Sequence, residues 1–133
     1  MTLEKLEEEL PNGLHDAQIR SITRNFENRS LTLEVRILIG LPDDPPGKRD
    51  EYRNGCITFT GVELFVVEVP DASSASLWSG SVYFSVSRSD VDTFPVEIVK
   101  KLTPRINMYT FFLLHWISNI HVAASDMTFG WEA

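Results

Sequence analysis

The sequence has little cysteine and no long apolar run, and both absences limit what the protein can be. Cys56 is the only cysteine among 133 residues, so no internal disulfide can form, which favours a reducing compartment. No run of about 18 apolar residues occurs, so we expect no transmembrane helix. The first ten residues, MTLEKLEEEL, are acidic and lack the apolar segment of a secretory signal. These features predict a cytoplasmic protein.

Positive charge is also scarce. Lys and Arg total 12 against 19 Asp and Glu, which gives a formal net charge of −7. Such a surface repels phosphate backbones and anionic headgroups, so we expect neither nucleic acid nor a membrane as a partner. It suits solubility, which is the commoner reason for an acidic surface, or a basic protein partner, because charge complementarity accelerates association.

The sequence lacks the common motifs of catalysis and phosphate binding. There is no Gly-x-Ser-x-Gly sequence and no glycine-rich phosphate loop. The acids between Asp43 and Glu51 are interrupted by prolines and do not have the spacing of a calcium loop. Cys56 has no local signature of a nucleophile, and we interpret it as a small buried residue. We therefore predict no cofactor and no bound metal, and we favour a protein that is not an enzyme.

Alternation of apolar and polar residues is what the sequence does contain. Residues 31–39 have an apolar residue at every odd position, which predicts a half-buried strand. The preceding segment, 15–26, changes phase, and this predicts a bulge near Arg20 or Ser21. Residues 25–30 predict the hairpin turn between these two strands.

Further strands are predicted by the same alternation at 56–61, 62–69 and 81–87. Gly61, between the first two, predicts a bulge or a bend rather than a full turn. In the last third of the chain the pattern predicts three consecutive antiparallel strands. They cover 106–116, 120–124 and 127–131 and have turns near Ser118–Asn119 and Ser125–Asp126.

Two segments have helical patterns instead. Residues 3–10 place three leucines on one face and four glutamates on the rest, which predicts a short amphipathic helix. Residues 96–102 lie between two prolines and predict a second short helix. The segment 41–55 combines prolines, glycines and charges and predicts a long loop.

These patterns predict one domain, 1–133, of the mainly β (α+β) class. The expected architecture is a curved antiparallel sheet or partly open barrel of about seven or eight strands, with a short N-terminal helix. The predicted core consists of Leu33, Val35, Ile37, Phe59, Leu64, Phe84, Phe112, Leu114 and Trp116.

Exposed acids and one tryptophan are the candidates for contact with a partner. The acids lie on the first helix and in the long loop, and the tryptophan follows a serine-rich segment that offers little to bury it. The predicted partner contacts are Glu7, Glu8, Asp43, Asp44, Asp50, Glu51 and Trp78.

Histidines form the alternative site. His15–Asp16 has the composition of a metal ligand or acid/base pair, but its place after Pro11-Asn12-Gly13 favours a structural turn before the first long strand. In a hairpin centred on Ser118–Asn119, His115 and His121 would face each other. We favour a buried structural pair, because a zinc site needs more ligands. The alternative function is a small-ligand-binding protein or an enzyme with an aromatic and histidine pocket. That pocket would use His15, Asp16, His115 and His121.

The sequences LHDAQIRSITRNFENRSLTLEVRI (14–37) and IHVAASDMTFGWE (120–132) resemble the start and end of several small bacterial proteins of uncharacterised function. Some of those proteins look like immunity proteins of bacterial toxin systems. The resemblance covers about half of the chain. It implies a compact antiparallel domain and supplies no catalytic residue. The matching residues are His15, Asp16, Ala17, Val122, Ala124, Asp126, Phe129 and Trp131.

Overall fold

The computed structural model of the protein describes residues 1–68, 82–87, 94, 96–114 and 118–133. Strands dominate these residues, and both helices are short. In chain order the elements are α1 (Leu3–Glu9), β1 (Pro11–Leu14), β2 (Ala17–Asn25), β3 (Ser30–Leu38), β4 (Tyr52–Thr60), β5 (Leu64–Val67), β6 (Val82–Ser87), α2 (Val96–Val99), β7 (Asn107–Leu113), β8 (Ser118–Ala124) and β9 (Asp126–Trp131).

Eight of these strands form one antiparallel sheet in the order β5-β8-β7-β6-β2-β3-β4-β9. The edge strands are β5 and β9, and each follows another strand after a bend in the chain. β4 continues into β5, and β8 continues into β9. At the bend the amide of Ser125 donates to the carbonyl oxygen of Thr60 (2.9 Å), and the amide of Glu63 donates to that of Ala123 (2.8 Å). The sheet therefore curves strongly without closing, and the predicted mainly β class and partly open curvature are confirmed.

One apolar core joins the helix to the sheet. Leu3, Leu6 and Leu10 of the α1 segment belong to the same buried cluster as side chains from β2, β3, β4, β7, β8 and β9. The helix begins at an N-cap, Thr2, whose hydroxyl accepts from the amide of Lys5 (3.1 Å). Four predicted core residues are fully buried: Leu33, Val35, Ile37 and Phe59.

The prediction that Phe112 and Leu114 form the inward face of β7 is wrong. Phe112 is half-buried and Leu114 is exposed, whereas Tyr109, Phe111 and Leu113 point into the core. Both faces of this strand carry large apolar residues, so alternation alone does not choose between them. Leu64 is half-buried, and the side chain of Phe84 and all of Trp116 lie outside the described residues.

Two connections also differ from the prediction. The long loop ends at residue 51 instead of 55, because Tyr52 already pairs with Leu38. β8 and β9 do not form a hairpin with each other, since β9 pairs with β4. By contrast, the bulge of β2 lies between Ile19 and Ser21, where the change of phase in the apolar–polar alternation predicted it.

No helix in the described ranges is long and apolar enough to cross a membrane.

Candidate functional site

Three arginines line an open cavity of about 670 Å³ on the acidic chain. Two strands place its centre, because Arg36 of β3 and Asn54 of β4 are register partners. The β2 bulge adds Arg20, and the amide of Glu132 donates to the carbonyl oxygen of Asn54 (3.0 Å), which extends the pairing of β4 with β9. We call this cavity the arginine groove. Its lining residues are Arg20, Arg36, Tyr52, Arg53, Asn54, Glu132 and Ala133.

Aromatic rings hold two of the three guanidinium groups. Arg36 lies over the ring of Tyr52 (5.2 Å to the centroid), and Arg53 lies over the ring of Trp131 (4.8 Å). A contact with a ring uses none of the five N–H donors of a guanidinium for a conventional hydrogen bond. Among the described residues, neither arginine has a carboxylate within 4.0 Å of its nitrogens.

The third guanidinium has a carboxylate partner. Arg20 Nη1 lies 3.6 Å from Glu132 Oε1, and both side chains are more than a third exposed. The same carboxylate oxygen accepts from Cys56 Sγ (3.8 Å). Burial, followed by the negative charges of Glu132 and Glu34, raises the pKa of the Cys56 thiol. A thiol with a raised pKa is a poor nucleophile at neutral pH, so this site does not favour thiolate chemistry.

The long loop, which carries four acids, begins and ends beside the segment that follows α1. The side-chain amide of Asn12 donates to the carbonyl oxygens of Leu38 (3.0 Å) and Gly40 (2.7 Å). These two bonds join β1, which follows α1, to the C-terminal end of β3. The amides of Ile39 and Gly40 donate to the carbonyl oxygen of Glu51, so both ends of the long loop lie here as well. We call this region the acidic end. Its carboxylates are Glu8, Asp16, Asp43, Asp44, Asp50 and Glu51.

Two of the predicted acidic contacts have structural partners. Glu7 Oε2 accepts from the amide of Leu14 (2.7 Å), and this bond ties the helix to β1. Asp44 Oδ2 accepts from the amide of Leu41 within the loop (2.8 Å). Glu8, Asp43, Asp50 and Glu51 are exposed. Trp78 lies outside the described residues.

Tyr52 connects the acidic end to the arginine groove. Its hydroxyl donates to the carbonyl oxygen of Asp16 (3.4 Å), and its ring supports Arg36. Burial first, then Tyr83 and the Asp16 carboxylate, raise the pKa of Tyr52, while Arg36 acts in the opposite direction. Fields of both signs therefore meet at this side chain.

The two described histidines occupy separate positions. His15 and Asp16 connect β1 to β2, and their side chains form an exposed pair at 3.3 Å. Asp16 adopts a φ of 57°, a turn conformation that Asp tolerates better than most residues. This is the turn position that the sequence predicts.

His121 is buried on β8. Its Nδ1 lies 3.3 Å from Thr110 Oγ1 and its Nε2 lies 3.7 Å from Glu68 Oε2, while its ring packs on Phe94. The predicted facing of His115 and His121 is wrong, because the β7–β8 register pairs His121 with Thr110. Ser118 and Asn119, the predicted turn residues, belong to strand β8. His115 itself lies outside the described residues.

No three His, Cys, Asp or Glu side chains in the described part of the chain come together as a metal site. Of the predicted pocket residues, His15 and Asp16 form an exposed pair and His121 is buried on β8, and neither His15 nor His121 lines the arginine groove. The sequence does contain a signal for that groove. Arg36 and Asn54 are polar positions on neighbouring strands, but only the strand register shows that they meet.

Comparison with protein-family models, with curated proteins and with solved structures finds no match for this chain.

Proposed function

We propose that this chain is a non-catalytic protein-binding domain that binds a basic partner through its acidic end. The observation that carries the proposal is the double hydrogen bond from Asn12, which joins the segment that follows α1 to the start of the acidic long loop. The chain resembles small uncharacterised bacterial proteins, some of which look like immunity proteins, and this favours the same class of function because immunity proteins act by binding a toxin.

Electrostatics favours this end of the molecule as the contact surface. The long loop, 41–51, contains four acidic residues against two cationic ones, Lys48 and Arg49. Exposed charge of one sign steers an oppositely charged partner and increases the association rate, and salt weakens this effect. The fixed ends of the loop limit how far its acids move, which lowers the entropy lost on binding.

The test compares two double variants that each remove two negative charges. Asp43→Asn/Asp50→Asn alters the acidic end, and Glu27→Gln/Glu97→Gln alters exposed acids in the β2–β3 turn and on α2. Tagged wild-type protein is used to capture proteins from an extract of the native host at low salt, and each captured protein is identified and purified. Its association rate is then measured as a function of salt.

We expect a basic protein whose association rate falls about tenfold with the acidic-end variant and little with the control. The rate should also fall with added salt for the wild type. Equal rates for the two double variants would contradict the proposal, as would a captured partner of acidic charge.

A further inference from the structure

The arginine groove is unexplained by binding to a basic partner, because its charge has the wrong sign. Three guanidinium groups converge on one cavity of a chain whose formal net charge is −7. Cations in a protein are usually dispersed or paired with carboxylates, since neighbouring like charges repel each other. A cluster that is only partly paired points to a ligand that supplies the missing negative charge.

The unused hydrogen-bond donors of the groove define the chemistry of that ligand. Arg36 lies over the ring of Tyr52 and Arg53 over that of Trp131. Among the described residues the N–H groups of these two arginines make one hydrogen bond, from Arg36 Nη1 to Gln18 Oε1 (3.5 Å). Guanidinium edges match carboxylate and phosphate oxygens in a bidentate manner. The side-chain amide of Asn54 is a further donor beside them.

We propose that the arginine groove binds a small molecule that carries oxyanion groups, either phosphates or carboxylates. Arg36 and Arg53 supply the main contacts, and Arg20 adds long-range attraction. The volume of about 670 Å³ lies within the range of small-molecule sites and exceeds what a single inorganic ion needs. This site goes beyond the proposed protein-binding function and does not depend on it.

Glu132 limits the affinity of the groove for anions. Its carboxylate lies inside the groove, 3.6 Å from Arg20, and repels an incoming oxyanion. Replacing it with Gln removes the repulsion and frees Arg20 while the side chain keeps its size. The proposal therefore predicts that replacing Arg36 or Arg53 lowers the affinity for the anion and that replacing Glu132 raises it. A loss of stability would not produce opposite effects within the same groove.

The experiment titrates the purified chain with pyrophosphate and, separately, with citrate at low ionic strength. Calorimetry gives the affinity, and NMR of the arginine Nε–Hε groups identifies the side chains involved. Binding of pyrophosphate alone assigns the site to phosphates, binding of citrate alone assigns it to carboxylates, and binding of both assigns it to oxyanions in general. Absence of binding by both probes overturns the proposal.

Four variants locate the binding. Arg36→Gln and Arg53→Gln should each weaken it about tenfold, and Glu132→Gln should strengthen it about threefold. Arg105→Gln is the matched control, since Arg105 is exposed and lines no part of the groove. Equal weakening by Arg36→Gln and Arg105→Gln would show nonspecific attraction and overturn the proposal. Thermal unfolding of each variant confirms that it is folded, and if Arg36→Gln is not, Arg53→Gln and Glu132→Gln still decide the result.

Discussion

Burial suppresses the ionisation of one tyrosine in the core. Tyr109 on β7 is 2% exposed, and its hydroxyl donates to the carbonyl oxygen of Met1 (3.2 Å). Burial, and to a smaller extent the charge of Asp126, raises the pKa of Tyr109 to about 12. In the unfolded chain the hydroxyl ionises near pH 10, so between pH 10 and 12 the folded state binds more protons than the unfolded state. Stability contributed by this group is present below pH 10 and is lost as the pH rises towards 12.

The variant Tyr109→Phe tests this linkage. We expect the free energy of unfolding of the wild type to fall more steeply between pH 9 and pH 11.5 than that of the variant, because Phe has no proton to lose. Urea unfolding at a series of pH values gives both curves, and the difference between them removes the contribution of other groups. Parallel curves for the two proteins would refute the raised pKa.

Single residues were predictable where their neighbours in sequence determine their state. The odd positions of β3 are buried because strict alternation leaves one choice of face, and His15–Asp16 forms a turn because a helix stop precedes it. The arginine groove was missed, since Arg36 and Asn54 are 18 positions apart and meet through register. The predicted pairing of His115 with His121 failed for a related reason: it assumed a turn at Ser118–Asn119, and these residues are part of β8, whose register pairs His121 with Thr110.

At the scale of elements, the bend at Gly61 is the feature that allows the sheet to curve. Gly61 follows β4 with a φ of 60°, and a Cβ placed there would overlap the side chain of Ser125. Ser125 lies at the bend between the successive strands β8 and β9. Both requirements, a left-handed backbone and a close approach, favour glycine over every other residue at this position. Local sequence predicted this bend correctly, but it did not show that a second bend lies against it.

We expect Gly61→Ala to lower the free energy of unfolding by about 1 to 3 kcal/mol, from left-handed strain and the overlap with Ser125. Gly130→Ala is the control, because Gly130 has a negative-φ strand conformation on β9 and an added Cβ meets nothing within 4 Å. Denaturant unfolding of both variants measures the difference. The bend would lose its proposed importance if Gly61→Ala were as stable as Gly130→Ala.

At the scale of the whole molecule, strand order was beyond the reach of sequence patterns. The number of strands and the curvature follow from alternation and glycine, which are local properties. The pairing of β4 with β9 joins segments about 70 residues apart, and the sequence of neither strand indicates its partner. Both have apolar inner faces, so many partners would satisfy their hydrophobic pattern equally well. The same absence of local information hid the relation between the acidic end and the arginine groove.

A single core shared by the helix and the sheet predicts that the whole molecule unfolds as one unit. Leu6 is fully buried among side chains of both, so Leu6→Ala should lower the free energy of unfolding by about 2 to 5 kcal/mol. Leu41→Ala makes the same chemical change at an exposed loop position, and its effect should stay within about 0.5 kcal/mol.

Far-UV circular dichroism and tryptophan fluorescence should give coincident transitions for wild type and variant, because helix α1 has too few residues to be stable without the sheet. A variant in which the helix is lost while the sheet unfolds at its original denaturant concentration would separate the two. The helix would then be an attachment to the domain, and the acids of the acidic end would lose the fixed support on which binding to a basic partner depends.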